Sequence, residues 1–353
     1  MLLGAESFDL YGTDRANLLL RGYIIQDGSG NRIALVSNVS EARTGTGYLA
    51  LRQSATSDIR LKKILDAAKT VIGQGSGFNL RDDVASAAFR NFGWGFGSGG
   101  NGFNEIKVNI NADLGFTVWD GVTAVGSSAP GLVTIGTWNW VEIKVITGAG
   151  GTGSVEVRLN GEAVLTVTGR TISSITQLGL GARDVNEGDG SSYDLWIDDW
   201  VFWDSAGTVN NDFLGERRCV TSYPNADTAD ADWLPSTGLI GYQMIDESVP
   251  SDLDYIEATT PGDISEFQKQ AIGIDTNDIA GIVVIARAKK TDAGASSFRL
   301  GLHSGAFVSN SDAKLPLTTI SYFDNVFERN PNGNVAWTRA AADLATIRLT
   351  REA

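Results

Sequence analysis

Residues 137–169, TWNWVEIKVITGAGGTGSVEVRLNGEAVLTVTG, alternate apolar and polar side chains along three successive runs. Val141, Ile143 and Val145 alternate with Trp140, Glu142 and Lys144. Val155, Val157 and Leu159 alternate with Glu156 and Arg158, and Val164 and Val167 resume the apolar positions. A period of two gives a strand one dry face and one wet face. Asn160-Gly161 separates the second and third runs. A two-residue hairpin turn needs φ > 0 at both central residues, which Asn and Gly tolerate best. The segment therefore predicts a meander of three antiparallel strands.

The meander resembles the penultimate strands of concanavalin-like jelly rolls, the laminin-G and legume-lectin superfamily. There a Trp-rich strand runs into a V-x-V-x-L-N-G hairpin. YDLWIDDWVFWD (193–204) resembles the closing strand of laminin-G-like folds, which pairs with the first. The resemblance implies a concanavalin A-like jelly-roll sandwich over residues 1–204, with Phe8 and Leu10 near Ile197 or Val201. The rest of that range is compatible. NLLLRGYII, RIALV and GYLALR read as strands, and FRNFGWGFGSGGNGF alternates aromatics with glycine. EIKVNIN and GFTVWDG add two more strands. IRLKKIL reads as a strand and ILDAAKT as a turn or short helix. Frequent glycine turns between short strands are the signature of a two-sheet sandwich.

Residues 205–218, SAGTVNNDFLGERR, read as a connector, small and polar around one Phe-Leu anchor. Residues 219–353 read as a second, smaller β-sandwich, so the fold class is all-β throughout. Its strands are the two long runs around Thr-Asp-Ala-Gly at 291–294 and a pair in LPLTTISYFDNVFERN. A helical turn and a last strand follow in AWTRAAADLATIRLT. The order of several strings, from WIDDWVFWDSAGTVNNDFLGERR through YPNADTADADWLPSTG and ARAKKTDAGASSFRLGLHSG to NPNGNVAWTRAAAD, resembles a module of tailed-bacteriophage structural proteins. In those proteins a concanavalin-like domain precedes an acidic β module, and the likeness covers roughly residues 137–350.

Charge and rare residues bound the chemistry. A formal charge of −14 repels phosphate backbones and disfavours nucleic acid as a partner. No apolar run is long enough to span a bilayer, so membrane insertion is not expected. MLLGAESFDLYGTDR has neither a basic n-region nor an apolar h-region, so no signal peptide is expected. Cys219 is the sole cysteine and His303 the sole histidine. Together they exclude an intramolecular disulfide and any multi-histidine metal site. His303 reads as a structural hydrogen-bonder.

The site candidates follow from side-chain chemistry. Glycoside hydrolysis needs two carboxylates flanking the bond, and no E-x-D-x-x-E string is present. Asp194 and Asp198 share a strand face but sit about 13 Å apart at ~3.3 Å per residue. No catalytic residue is therefore assigned, and Asp198 and Asp199 are expected to hydrogen-bond turns at the sandwich edge. Sugar stacking would use Trp94, Phe96 and Trp119, with Trp138 and Trp140 as further candidates. No cofactor is expected beyond a Ca2+ considered at ARDVNEGDGSSYD, through Asp184, Asn186 and Asp189, because hard cations take oxygen ligands. Tyr242, Tyr255 and Phe267 flank the acidic stretch 246–266 and are the interface candidates.

The phage resemblance implies a non-enzymatic virion structural protein on the particle exterior, in the tail-tip or fibre region or as a head decoration. It would be assembled in the host cytoplasm as a homo-oligomer among other virion proteins. The alternative is a lectin-like receptor-binding module recognising host surface glycan. A glycan depolymerase is the third reading.

Overall fold

The computed structural model of the chain describes residues 1–26, 33–52, 59–81, 92–99, 105–182, 194–238, 240–273 and 278–352. The chain divides into two compact units, Leu3–Cys219 and Val220–Ala353. Both are all-β.

The first unit contains fifteen strands among the described residues. They are β1 (Leu2–Glu6), β2 (Tyr23–Gln26), β3 (Ile33–Ser37), β4 (Gly47–Arg52), β5 (Ile59–Lys69), β6 (Val71–Arg81), β7 (Phe92–Gly97), β8 (Ile106–Ile110), β9 (Phe116–Asp120), β10 (Thr123–Ser127), β11 (Trp138–Ile146), β12 (Gly148–Leu159), β13 (Glu162–Ile172), β14 (Ile175–Ala182) and β15 (Asp194–Asp204). They form two antiparallel sheets. One runs β13-β12-β11-β6-β15-β4-β3, with β1 also paired to β15. The other runs β10-β9-β8-β7-β14-β5-β2. The expected meander is present as β11–β12–β13. Asn160 (φ 50°) and Gly161 (φ 89°) form its second turn, both left-handed as that turn requires. First and last strands are neighbours, as a jelly roll requires. The first strand, however, ends at Glu6. Phe8 lies beyond it in a left-handed conformation, and Leu10 sits in a 3₁₀ turn at Asp9–Tyr11.

The sandwich core follows from alternation on both sheets. Ile72, Phe78 and Leu80 of β6 face Trp94 and Phe96 of β7, all fully buried. The polar atoms caught between the sheets are paired. Trp94 Nε1 donates to Ser76 Oγ (3.0 Å), Trp200 Nε1 to Gln74 Oε1 (2.9 Å), and Gln74 Nε2 to the Gly95 carbonyl (3.1 Å). Burying these groups unpaired would cost about 1–3 kcal/mol each.

Two stretches depart from expectation. NLLLRGYII is not one strand: Ala16–Leu20 form a short helix (α1), and only Tyr23–Gln26 extend. The Asp14 carboxylate accepts from Ala16 N (2.9 Å), and Tyr11 O from Asp14 N (3.1 Å), so local turn bonds outcompete the strand. Conversely, β5 stays extended to Lys69, where a turn or helix was expected. Ladder partners along β14, from Ile175 to Ala182, override its helical pattern.

The second unit contains β16 (Pro224–Ala231), β17 (Leu234–Pro235), β18 (Ile256–Glu257), β19 (Ile264–Lys269), β20 (Ile282–Ala288), β21 (Phe298–Ser304), β22 (Phe307–Asn310), β23 (Ser321–Phe327), a helical turn α2 (Arg339–Leu344) and β24 (Thr346–Arg351). A five-stranded sheet, β16-β19-β24-β21-β22, is joined by the pairs β20–β23 and β17–β18. Phe267, Leu300, Leu302 and Leu349 from the sheet pack with Val284, Phe327 and Trp337 in one core. On the opposite face, His303 Nδ1 lies 2.9 Å from Glu266 Oε2, and Arg348 also binds that carboxylate. Burial works against the Glu266 anion, but these two partners outweigh it and hold the carboxyl below its usual range.

Candidate functional site

The outer face of the seven-stranded sheet is built by the residues that alternate with its core. Leu61 of β5, Leu178 and Leu180 of β14, Trp94 and Phe96 of β7, Val108 of β8 and Val118 of β9 are all fully buried. Strand alternation turns the intervening residues to the other side. Register then lines them up in rows across the sheet. One row reads Ile24, Lys62, Gly179, Gly95, Lys107, Trp119. The next reads Gln26, Arg60, Gly181, Gly93, Asn109, Thr117. A third contains Ile64, Gln177 and Gly97.

Two adjacent strands, β7 and β14, thus present only glycine in the central two rows. These four glycines add no side chain to the face, and all four are buried. Gly93 is also sterically required, since a Cβ there would collide with the Val108 carbonyl oxygen. Cations and amides stand on both sides of the floor. With neighbouring strands about 4.8 Å apart, Lys62 and Lys107 flank it at roughly 14 Å. Arg60, Lys62, Lys107 and Asn109 are all buried, Lys62 at 3 % exposed and Lys107 at 5 %. Each of the three cations has interactions within the chain. The Lys107 ammonium lies over the Trp119 ring, 5.5 Å from its centroid. Trp119 Nε1 is buried with no hydrogen-bond partner among the described residues. Carboxylates of the same parity, Asp66 and Glu105, lie toward the Ile64 end.

The outer face of the eight-stranded sheet is different. Residues 205–218, expected as a connector, lie across it. Glu142, with no exposed surface, accepts from the amides of Leu214 (2.7 Å) and Gly215 (3.1 Å). Lys144 binds Asp212 at 2.8 Å, and Phe213 sits under the Arg158 guanidinium, 3.8 Å away. β15 carries a one-residue bulge between Asp198 and Val201, with Asp199 left-handed (φ 54°). The bulge aims both aspartates at loop backbone. Asp198 accepts from Arg43 N (3.1 Å) and Thr44 N (3.0 Å); Asp199 accepts from Cys219 N (2.6 Å) and also binds the Arg43 guanidinium. This is the turn-binding role expected of the pair. Desolvation, then the neighbouring Asp199 charge, push the Asp198 carboxyl up to about 9.

The stacking candidates separate on this geometry. Trp94 and Phe96 point into the core and have no exposed surface, so neither can stack on a sugar. The glycines between them face outward instead. Trp119 does lie on the outer face. Trp140 is buried beneath Arg43, 5.1 Å from its ring, and Trp138 donates to the Glu41 carbonyl (3.1 Å), both on the other sheet. Asp184, Asn186 and Asp189 lie outside the described residues. Among the described residues no cluster of three or more His, Cys, Asp or Glu could hold a metal ion. Of the interface candidates, Phe267 is a core residue at 2 % exposed and cannot present a surface. Tyr242 is half-buried against the same core, and Tyr255 is exposed. Arg60, Lys62, Lys107 and Asn109 were not among the candidates, although IRLKKIL and EIKVNIN show their alternation with apolar residues.

No family model matches the chain, and no curated protein matches it. Solved structures that it is similar to include an endo-β-1,4-glucuronan lyase from the fungus Trichoderma reesei, at 15% identity over 57% of this chain and 95% of that one, with a TM-score of 0.41. A carbohydrate esterase of Shiga toxin-encoding bacteriophage phi24B matches at 14% identity over 56% and 98%, with a TM-score of 0.36. The exoplasmic/lumenal domain of VIP36 matches at 7% identity over 57% and 93%, with a TM-score of 0.35. The expectation of a protein without enzymatic activity does not hold against matches that include a lyase and an esterase. Its physical basis was also too narrow. A missing carboxylate pair excludes pair-based glycoside hydrolysis, whereas Lys, Tyr and His can also serve as acid or base.

Proposed function

We propose that the first unit is a carbohydrate-binding or glycan-acting module, and that the outer face of its seven-stranded sheet is the surface it uses. The observation that carries this reading is Trp119, a partly exposed indole on that face, in a row whose other members include Gly179 and Gly95. A pyranose ring presents flat apolar patches and a rim of hydroxyls. Trp119 supplies a stacking surface, and polar groups beside it supply hydrogen bonds.

The test is a glycan array probed with the whole chain, followed by titration of the best binder. Trp119→Ala and Asn109→Ala are expected to weaken binding about tenfold each, or about 1.4 kcal/mol. Binding unaffected by either substitution would place the glycan elsewhere. Incubating the bound glycan with the chain and assaying for shortened products distinguishes holding from cleaving.

The second reading concerns setting: a component of a tailed-phage particle, with other virion proteins as partners. The ordered motifs from residue 137 to residue 350 support it. Locating the chain's density in an intact particle tests it.

A further inference from the structure

We propose that the second unit pairs with a second copy of this chain, through a surface strip that holds an acidic end and a basic end side by side. This goes beyond the glycan reading and does not rest on it. Charge in the second unit is unevenly spread. Residues 224–269 hold ten Asp and Glu against one Lys, whereas residues 287–317 hold five Lys and Arg against two Asp. Both stretches also expose large apolar side chains.

At the acidic end, Leu234 pairs with Glu257 and Pro235 with Ile256 across the β17–β18 ladder. Ile256 packs on the core, so strand alternation turns Leu234, Tyr255 and Glu257 to the other side together. Glu257 is exposed, as are Leu234, Tyr255 and the neighbouring Leu253, the last at 87 %. Burial, and the Asp254 carboxyl against it, push the Glu247 carboxyl up, as expected where negative charge is in surplus. At the basic end Lys289 is exposed, with Leu315 at 70 % and Leu317 at 61 %. The two ends adjoin. Asp252 pairs with Arg287, two residues before Lys289, and the Leu317 carbonyl accepts from Lys290 N (2.9 Å). Single exposed apolar residues are ordinary, but a connected set framed by charge is the make-up of an association surface. A two-fold axis near Arg287 would set each acidic end on the basic end of the other copy, so every contact is made twice. That covers Leu253 and Tyr255 together with Leu315 and Leu317. A foreign basic segment would answer the acidic end alone and leave Lys289, Leu315 and Leu317 in water.

The experiment follows the whole chain by sedimentation equilibrium over a wide concentration series. The parent chain is expected to reach a dimer and stop there, since a two-fold contact closes on itself. Leu253→Ser should weaken dimerisation about tenfold with unchanged circular dichroism melting, because the side chain it removes is exposed in the single chain. Should that variant melt lower, Leu315→Ser takes its place. Glu257→Lys and Lys289→Glu should each weaken self-association at least about tenfold, because like charges then meet twice across the axis. Mixed in equal amounts, those two variants should recover the dimer, since each supplies the sign the other has lost. A parent chain that stays monomeric throughout overturns the proposal. So does a dimer that none of these substitutions weakens. Growth beyond a dimer, or no recovery in the mixture, overturns the two-fold pairing of acidic with basic ends.

Discussion

The two sheets of the first unit bury similar inner faces and treat their outer faces in opposite ways. The eight-stranded sheet is closed off by its own chain. Glu142, Asp198 and Asp199, all with no exposed surface, bind the backbone of segments laid over it. The seven-stranded sheet carries cations where its partner carries acids, and glycine where its partner carries Trp138, Trp140 and Trp203. Glycines do occur on the acidic side, at Gly73 and Gly77, but they are filled. A Cβ there would run into Trp203 or Arg43. The cationic side is no emptier: a Cβ at Gly93 would run into the Val108 carbonyl, and Gly95, Gly179 and Gly181 are buried as well. Buried charge on the first face is acidic and binds loop backbone, and on the second it is cationic and also has partners within the chain.

That contrast fails most visibly if the acidic face is not structural. Glu142→Ala strands the Leu214 and Gly215 amides and should destabilise the unit by about 2–3 kcal/mol. Melting should fall by roughly 4–12 °C for a unit of this size, with faster hydrogen exchange at those two amides. An unchanged melting point would mean that the 205–218 segment is not locked down.

The Asp198 proton gives a sharper test through pH. Its carboxyl is raised from 3.8 to about 9, so the folded state prefers the neutral form. Stability from that preference is complete below about pH 3.8, declines as pH rises, and is gone above about 9. The melting point of the parent chain relative to Asp198→Asn, followed from pH 5 to 9.5, should fall steadily. A flat difference would show that the amides of Arg43, Thr44 and Asp199, all bonded to this carboxyl, hold it ionised.

Gly161→Val should cost about 1 kcal/mol, seen as a small drop in melting midpoint. Its Cβ would enter open space, so backbone strain at φ 89° is the whole effect.

Local pattern made the meander legible. Period-two alternation and Asn160-Gly161 act over a few residues, and their outcome depends little on the rest of the chain. The all-β class was readable for the same reason. The sides of β7 were assigned the wrong way round. Aromatic-glycine alternation says that the two residue types face opposite ways, and Trp94 and Phe96 were given to solvent on ligand chemistry. Their size decides for the core, where each removes a large apolar surface from water. The cationic rows escaped notice because they are an effect of register. Lys62 and Lys107 are 45 positions apart in sequence, and only the order β5-β14-β7-β8 sets them on either side of the floor. The 205–218 segment read as a connector because its composition is polar and small. Its role depends on Glu142, Lys144 and Arg158, which lie far upstream in sequence.

The position of β15 has a consequence for how the chain comes to be folded. It is an interior strand of its sheet, bonded to β6 on one side and β4 on the other, with β1 added, yet it is the last strand of the unit in sequence. At about 5–20 residues per second of synthesis, roughly 6–23 s separate the emergence of β6 from that of β15. During that interval the β13-β12-β11-β6 half and the β4-β3 half each end in an unpaired interior edge, rich in the backbone donors and acceptors that invite another chain. Contacts this distant in sequence also make folding slow. The hazard window of this protein is therefore set by translation, and strand-swapped dimers through β6 are the misfolded species to look for when it is produced too fast.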